Sequence, residues 1–306
     1  MKKDLISIKD LTRKDLADIF SLTDALKKKP DRFSNALRGK ILTLIFQKPS
    51  CRTRVSFEVG MYQLGGNSLY LGPDQIKLGL RESTGDISRT LSRYVDGIAL
   101  RTFAHKNILQ MAEYASIPVI NALTDLLHPC QALADIYTMR EKFSDLKKIT
   151  LAFIGDGNNV CHSLLYGCSK VGFNLNIATP KGYSPKDTII RQAKSFAKIS
   201  GAKINIFNQA EQAARGADVI YTDVWASMGQ ENESKVRINR FRQFQVNQKL
   251  VSLAKSKCLI MHCLPAHRGE EITDEVIDCS NSIVFDQTEN RLHVQKAILI
   301  LLLGAD

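Results

Sequence analysis

The feature that most narrows the folds open to this chain is an alternation of short apolar runs with amphipathic stretches, which runs once, stops, and runs again. Strand-like runs at 40–46, 67–71, 97–100 and 118–121 alternate with helix-like stretches at 53–64, 85–94, 105–114 and 129–143. After a charged hinge at 145–148, strands are expected at 149–154, 175–178, 204–207, 219–224 and 258–263, with helices at 160–171, 185–199, 210–216 and 240–255. A first amphipathic helix is expected at 12–28 and a last helix at about 289–303. Strands separated by helices need crossovers, so this rhythm predicts parallel sheets covered by helices on both faces. A length of 306 residues accommodates two domains of ordinary size. The fold class is therefore α/β, with two doubly wound parallel-sheet domains divided at about 145/146.

Ligands of such sheets collect beyond the carboxyl ends of the strands, and the residues there carry most of the chemistry. Ser50-Cys51-Arg52-Thr53-Arg54 follows the strand-like run 41–46 and opens a helix. Ser50 is a good N-cap, and the first amides of a helix have no partners within it. Those amides and the helix dipole make an anion site. The hydroxyls of Ser50 and Thr53 and the guanidiniums of Arg52 and Arg54 add donors suited to phosphate. The alternative is a capped helix with solvated arginines. Arg101 ends the run at 97–100, and His128-Pro129-Cys130-Gln131 opens another helix with Pro129 apt for its first position. A lone His there reads as a cap or a packed residue; beside the arginines it reads as part of a site. Ser50, Arg52, Thr53, Arg54, Arg101, His128 and Gln131 can thus converge from three strands.

In the second half, Gly155-Asp156-Gly157-Asn158-Asn159 has the look of a dinucleotide turn. Val160 occupies the third glycine position, and no acidic residue closes the next strand to hold a ribose, which disfavours a nicotinamide-dependent oxidoreductase. Asp223-Val224-Trp225-Ala226-Ser227-Met228-Gly229 follows a later strand and holds the chain's only Trp. A carboxylate there can pair with an ammonium group, and amides at Ser227 and Met228 can take a carboxylate; a helix cap at Asp223 is the alternative. Cys263 ends the strand 258–263, where an inert core thiol is the ordinary case.

The net charge of +11 raises nucleic acid as a partner, yet the lysines are scattered and not interleaved with aromatics. Anionic small substrates explain it more simply. Seven cysteines in no regular framework suit a reducing cytosol. The neighbours Cys161-His162 and His262-Cys263 complete no zinc spacing, so no metal is expected. The N-terminus lacks a signal-peptide apolar core, and the apolar run 297–303 is too short for a bilayer. The expected location is the cytoplasm.

Taken in order, these motifs resemble the aspartate and ornithine carbamoyltransferase family. Ser-x-Arg-Thr-Arg looks like its carbamoyl phosphate signature, with Cys51 standing where Thr or Met is common. His128-Pro129-Cys130-Gln131 resembles the family's His-Pro-x-Gln, whose imidazole donates to the carbamoyl oxygen. The Gly-rich turn and the Ser227-Met228-Gly229 loop resemble those of the ornithine-specific members. His262-Cys263-Leu264-Pro265 resembles their His-Cys-Leu-Pro, and Arg291 matches an arginine that contacts carbamoyl phosphate.

The resemblance implies carbamoyl transfer to the δ-amine of L-ornithine, in arginine metabolism, without a metal or organic cofactor. Residues 1–145 would bind carbamoyl phosphate, 146–284 would bind ornithine, and the C-terminal helix, about 285–306, would return to the first domain. Carbamoyl phosphate would meet Ser50, Cys51, Arg52, Thr53, Arg54, Lys77, Arg101, His128, Gln131, Cys263, Leu264 and Arg291. Ornithine would meet Asn159, Asp223, Ser227 and Met228, with Asp223 at its α-ammonium and Cys263 by the δ-amine at the other end. Arg101, His128 and Cys263 would act catalytically. Lys77 would reach a neighbouring subunit of a homotrimer, the unit from which some members build larger assemblies; a surface lysine is the alternative. Carbamoyltransferases for putrescine or an acetylated ornithine are the nearest alternatives, and Ser227-Met228-Gly229 argues against both.

Overall fold

The computed structural model describes residues 3–76, 78, 82–227 and 229–304. The chain divides into two compact units, Met1–Tyr137 with Glu289–Asp306, and Thr138–Thr288.

The first unit contains α1 (Arg13–Lys28), β1 (Ile41–Phe46), α2 (Cys51–Gln63), β2 (Asn67–Leu71), α3 (Thr84–Leu91), β3 (Gly97–Arg101), α4 (His105–Tyr114), β4 (Val119–Leu123) and the start of α5 (Pro129–Lys142). Its strands are all parallel, in the order β2-β1-β3-β4. Five of the six residues of β1 are buried, the continuous apolar run expected of a strand covered on both faces. In α2 the buried residues Thr53, Ser56, Phe57, Gly60 and Met61 recur at helical spacing and line one face.

The second unit contains β5 (Thr150–Ile154), α6 (Asn159–Val171), β6 (Asn174–Ala178), α7 (Asp187–Ser200), β7 (Ile204–Phe207), α8 (Ala210–Ala214), β8 (Val219–Thr222), α9 (Ser234–Phe241), α10 (Gln248–Val251), β9 (Leu259–His262), α11 (Asp274–Ile277) and the start of α12 (Val284–Leu303). Its parallel order is β7-β6-β5-β8-β9. Ile154, Ala178, Ile220 and Ile260 from its strands pack with Ala213, Leu250 and Val276 in one apolar core.

The later part of α12 completes the first unit. Lys27 donates to Asn290 at 2.8 Å and Lys296 to Gln63 at 2.9 Å, tying α12 to α1 and α2. A Cβ on Gly97 would lie 2.6 Å from Leu303 Cδ2, so β3 begins with the one residue that leaves room for the last turn of α12.

Two helices depart from the sequence reading. The helix expected at 240–255 is broken into α9 and α10. Val246 leaves the helical path to bridge Ile272, and the Asn247 side chain then accepts from the Leu250 amide at 3.1 Å and starts a new helix. The last helix starts at Val284, five residues before the expected 289. Two strand ends also matter. β8 stops at Thr222 and β9 at His262, so Asp223 and Cys263 are the first residues beyond their strands. Among the described residues, no helix is long and apolar enough to cross a membrane.

Candidate active site

In each unit the strand order reverses direction at one place, between β1 and β3 in the first and between β5 and β8 in the second. Such reversals open a crevice beyond the carboxyl ends. Ser50 and Arg101 stand at the first crevice, and the Gly155–Asn159 turn and Asp223 at the second.

In the first unit, Ser50 is the N-cap of α2, its hydroxyl accepting from the Thr53 amide at 3.3 Å. His128 is buried, and its pKa lies well below the usual histidine value. Burial is the main cause, followed by the positive charges of Arg291, Arg101 and Arg52. Three guanidiniums from α12, β3 and α2 thus gather around one neutral imidazole. Arg291 donates to Gln131 Oε1 and, at 3.1 Å, to the Thr53 hydroxyl. Gln131 in turn donates to Asp135 at 2.8 Å, so its amide is oriented from both ends. The arrangement is a cationic, donor-rich pocket wall suited to a small dianion.

Arg54 has other partners. Its Nε donates to Glu58 at 2.9 Å, and its guanidinium lies 3.7 Å from the Tyr70 ring centre. Cys51 is exposed at the first position of α2. Lys77 and Met228, both candidates from sequence, lie outside the described residues.

In the second unit, Asp223 is buried and receives three donors. They are Asn158 Nδ2 at 2.7 Å, the Val224 amide at 2.8 Å and Cys263 Sγ at 2.9 Å. The sequence reading set Asp223 and Cys263 at opposite ends of an ornithine. In the structure the carboxylate and the thiol are in contact at 2.9 Å, because β8 and β9 are neighbours and both residues leave their strands at the same level. Asn159 is the first residue of α6 and half-buried. The amide of Ser227 was expected to be open to a ligand; it donates to Gln230 Oε1 at 3.0 Å, because a tight turn brings Gln230 back onto it.

Behind these residues lie supports that sequence reasoning did not find. His262 is fully buried; its Nδ1 accepts from the Leu264 amide at 2.8 Å, which leaves Nε2 to donate to Glu271 at 3.0 Å. This brace holds Leu264 at φ 55°, the one non-glycine residue with positive φ among those described. Arg237 donates to Asp156 at 3.0 Å, to Glu233 at 2.9 Å and to the Trp225 carbonyl at 3.0 Å, joining the Gly-rich turn to the Trp225 loop. Burial pushes the Asp156 carboxyl up to about 6, against the downward pull of Arg237. Glu271 lies 9 residues from His262 and Arg237 lies 81 from Asp156, so no local pattern announces either pairing.

The Gly-rich turn is closed to a dinucleotide. A Cβ on Gly157 would meet Pro185 N at 2.3 Å and Tyr183 O at 2.6 Å, and the Gly157 amide donates to Tyr183 O at 2.9 Å. The backbone of the following loop fills the space where a pyrophosphate would approach. Among the described residues, two groups offer atoms to a metal within 4.8 Å of one another, Asp223 with His262 and Cys263, and His267 with Glu270 and Glu271. Both ring nitrogens of His262 are already engaged, so the first group could bind an ion only by breaking the brace on Leu264.

Comparison with known proteins agrees with this geometry. Residues 3–141 match the carbamoyl-P binding domain of the aspartate/ornithine carbamoyltransferases, and residues 147–302 match their Asp/Orn binding domain. The chain is 51% identical over 304 residues to the ornithine carbamoyltransferase of Thermococcus kodakarensis, covering 99% of this chain and 96% of that one. It is 49% identical to a protein of Pyrococcus furiosus named ornithine carbamoyltransferase, anabolic, again over 99% and 96%. The solved ornithine carbamoyltransferase from Pyrococcus furiosus superposes with a TM-score of 0.96, covering 99% of this chain and 97% of that one. Two family models covering nearly the whole chain, together with identities of about half over its full length, establish that the chain belongs to the aspartate/ornithine carbamoyltransferase family.

Proposed function

We propose that the chain is an ornithine carbamoyltransferase, which transfers the carbamoyl group of carbamoyl phosphate to the δ-amine of L-ornithine and gives L-citrulline and phosphate for arginine biosynthesis. The observation that carries this reading is the contact between Cys263 Sγ and Asp223 Oδ1 at 2.9 Å. A thiol–carboxylate pair suits an ammonium group. An aspartate-specific site would need a cation for a second carboxylate, and the nearby Arg237 is engaged by Asp156 and Glu233.

In the reaction, the amine nitrogen attacks the carbonyl carbon, the carbonyl oxygen gains negative charge, and the bond to phosphate then breaks. Arg52, Thr53 and Arg291, with Ser50, the Cys51 amide and Arg54, take the phosphate. Arg101 and His128 face the developing oxyanion, and Gln131 the carbamoyl amine. The depressed pKa of His128 leaves it neutral near pH 7, so its imidazole donates one hydrogen bond and adds no charge to the cationic cluster. Ornithine's δ-ammonium has an ordinary pKa of about 10.4 and must lose a proton before attack. The Asp223–Cys263 pair would receive that proton, Leu264 would flank the amine, and Asn159, Ser227 and Met228 would hold the α-amino-acid end. Lys77 would complete the site of a neighbouring subunit in a cytoplasmic homotrimer. Mixing inactive Lys77→Ala and Arg52→Ala chains should then restore some activity; mixtures as inactive as their parents would remove Lys77 from the shared site.

The direct test measures carbamoylation of ornithine, N-acetylornithine, putrescine and aspartate side by side. Citrulline formation from ornithine well above the other three supports the assignment, and preference for any of the others overturns it.

A further inference from the structure

Asn158 sits immediately before α6, and its side chain faces two ways. Its Oδ1 accepts from the Val160 and Cys161 amides at 3.0 and 3.1 Å, which makes it the N-cap of the helix. Backbone amides can only donate, so the oxygen must face them and the amide nitrogen must face Asp223, 2.7 Å away. A nitrogen carrying two hydrogens is a donor only. Asp223 Oδ2 is therefore held as an acceptor by a group anchored to the start of a 13-residue helix, while Oδ1 is left to Val224 and the Cys263 thiol.

From this geometry we propose that Asn158 is a positioning residue for ornithine use: it clamps Oδ2 of Asp223 so that Oδ1 stays aligned with Cys263. The proposal rests on the ornithine carbamoyltransferase reading. It adds a residue beyond those that sequence pointed to, for the sequence favoured Asn159. Capping alone would not require an amide. Ser or Asp caps a helix as well as Asn, yet a short hydroxyl does not span the distance to Asp223, and a carboxylate cannot donate to it.

The substitutions Asn158→Ser and Asn158→Asp separate the two roles. Both preserve a cap; Asn158→Ser should lose only a little thermal stability, and Asn158→Asp more, because it sets a second carboxylate against the buried Asp223. Both should raise the KM for ornithine at least about 10-fold while leaving the KM for carbamoyl phosphate within about 2-fold, with the larger defect in Asn158→Asp, where two carboxylates face each other. Asn158→Ser introduced into an Asp223→Asn chain should add little further, because the group it positions has already lost its charge. If both single variants match the wild type in ornithine KM, Asn158 is a cap and nothing more, and the inference fails while the functional assignment stands. If the wild type itself carbamoylates no amine, the functional assignment fails and takes this inference with it.

Discussion

Arg52 differs from Arg54 in its partners although the two are two residues apart. Arg54 is exposed and held by Glu58 and Tyr70, whereas the charge of Arg52 acts on the buried His128. Arg52→Ala should therefore cost about 2–4 kcal/mol of transition-state binding, roughly 30- to 1000-fold in kcat/KM for carbamoyl phosphate, with the fold intact. A kcat/KM for carbamoyl phosphate near that of the wild type would remove Arg52 from the anion site. Cys263→Ser keeps the shape but replaces a thiol with a hydroxyl of much higher pKa beside Asp223. It should retain the fold, weaken ornithine use about 10-fold and move the alkaline limb of the rate profile. Rate profiles with varied ornithine across pH 6 to 10 that overlay those of the wild type would reduce Cys263 to packing.

At the scale of elements, the alternation of runs made both sheets legible, because a parallel strand buried on both faces has little choice but to be continuously apolar. Strand ends were less so. Nothing in Val219–Val224 tells the reader that pairing stops at Thr222, since that depends on where β9 stops beside it. The break between α9 and α10 was hidden for the same reason: Val246 is drawn off the helix by Ile272, 26 residues on. The candidate anion-site residues could be singled out in the sequence because a cap, a dipole and charged side chains act locally. Asn158, Arg237 and Glu271 were not, because each acts on a group brought near only by the sheet.

The Asp156–Arg237 pair lends itself to a test at this scale, since it ties a turn to a loop and a helix. Asp156 takes up its proton more readily when folded, at about 6 against an ordinary 3.8, because burial outweighs the pull of Arg237. A carboxyl raised in this way contributes stability that is fully present below about 3.8 and is lost as pH rises through about 6. Asp156→Asn removes that slope, which is on the order of 2–3 kcal/mol between pH 4 and 7. Unfolding free energies of the two proteins measured across that range should converge at the acid end and differ in gradient; parallel curves would mean that Asp156 does not titrate there.

At the scale of the molecule, each unit has its own sheet and core, but the first unit is built from two distant stretches of chain. Ending the chain at Thr288 should remove Arg291 from Gln131 and Thr53 and strip α12 from α1, α2 and β3. The expected result is loss of carbamoyl phosphate binding and early proteolysis within 1–137, with 138–288 cleaved more slowly. Uniform cleavage of both stretches would show that α12 is not what holds the first unit together.

That discontinuity also sets a schedule during synthesis. The first unit's sheet is translated early, but the roughly 150 residues of Thr138–Thr288 must follow before α12 can close over it. At translation rates of about 5–20 residues per second, the nascent first unit waits about 8–30 s with the faces of α2 and β3 uncovered. A ribosome that stops between His262 and Arg291 releases a chain that can hold all five strands of the second sheet and still lack the arginine that meets Gln131 and Thr53. If Arg291 meets the phosphate as proposed, competence to bind the anion doubles as a report that translation has passed Arg291.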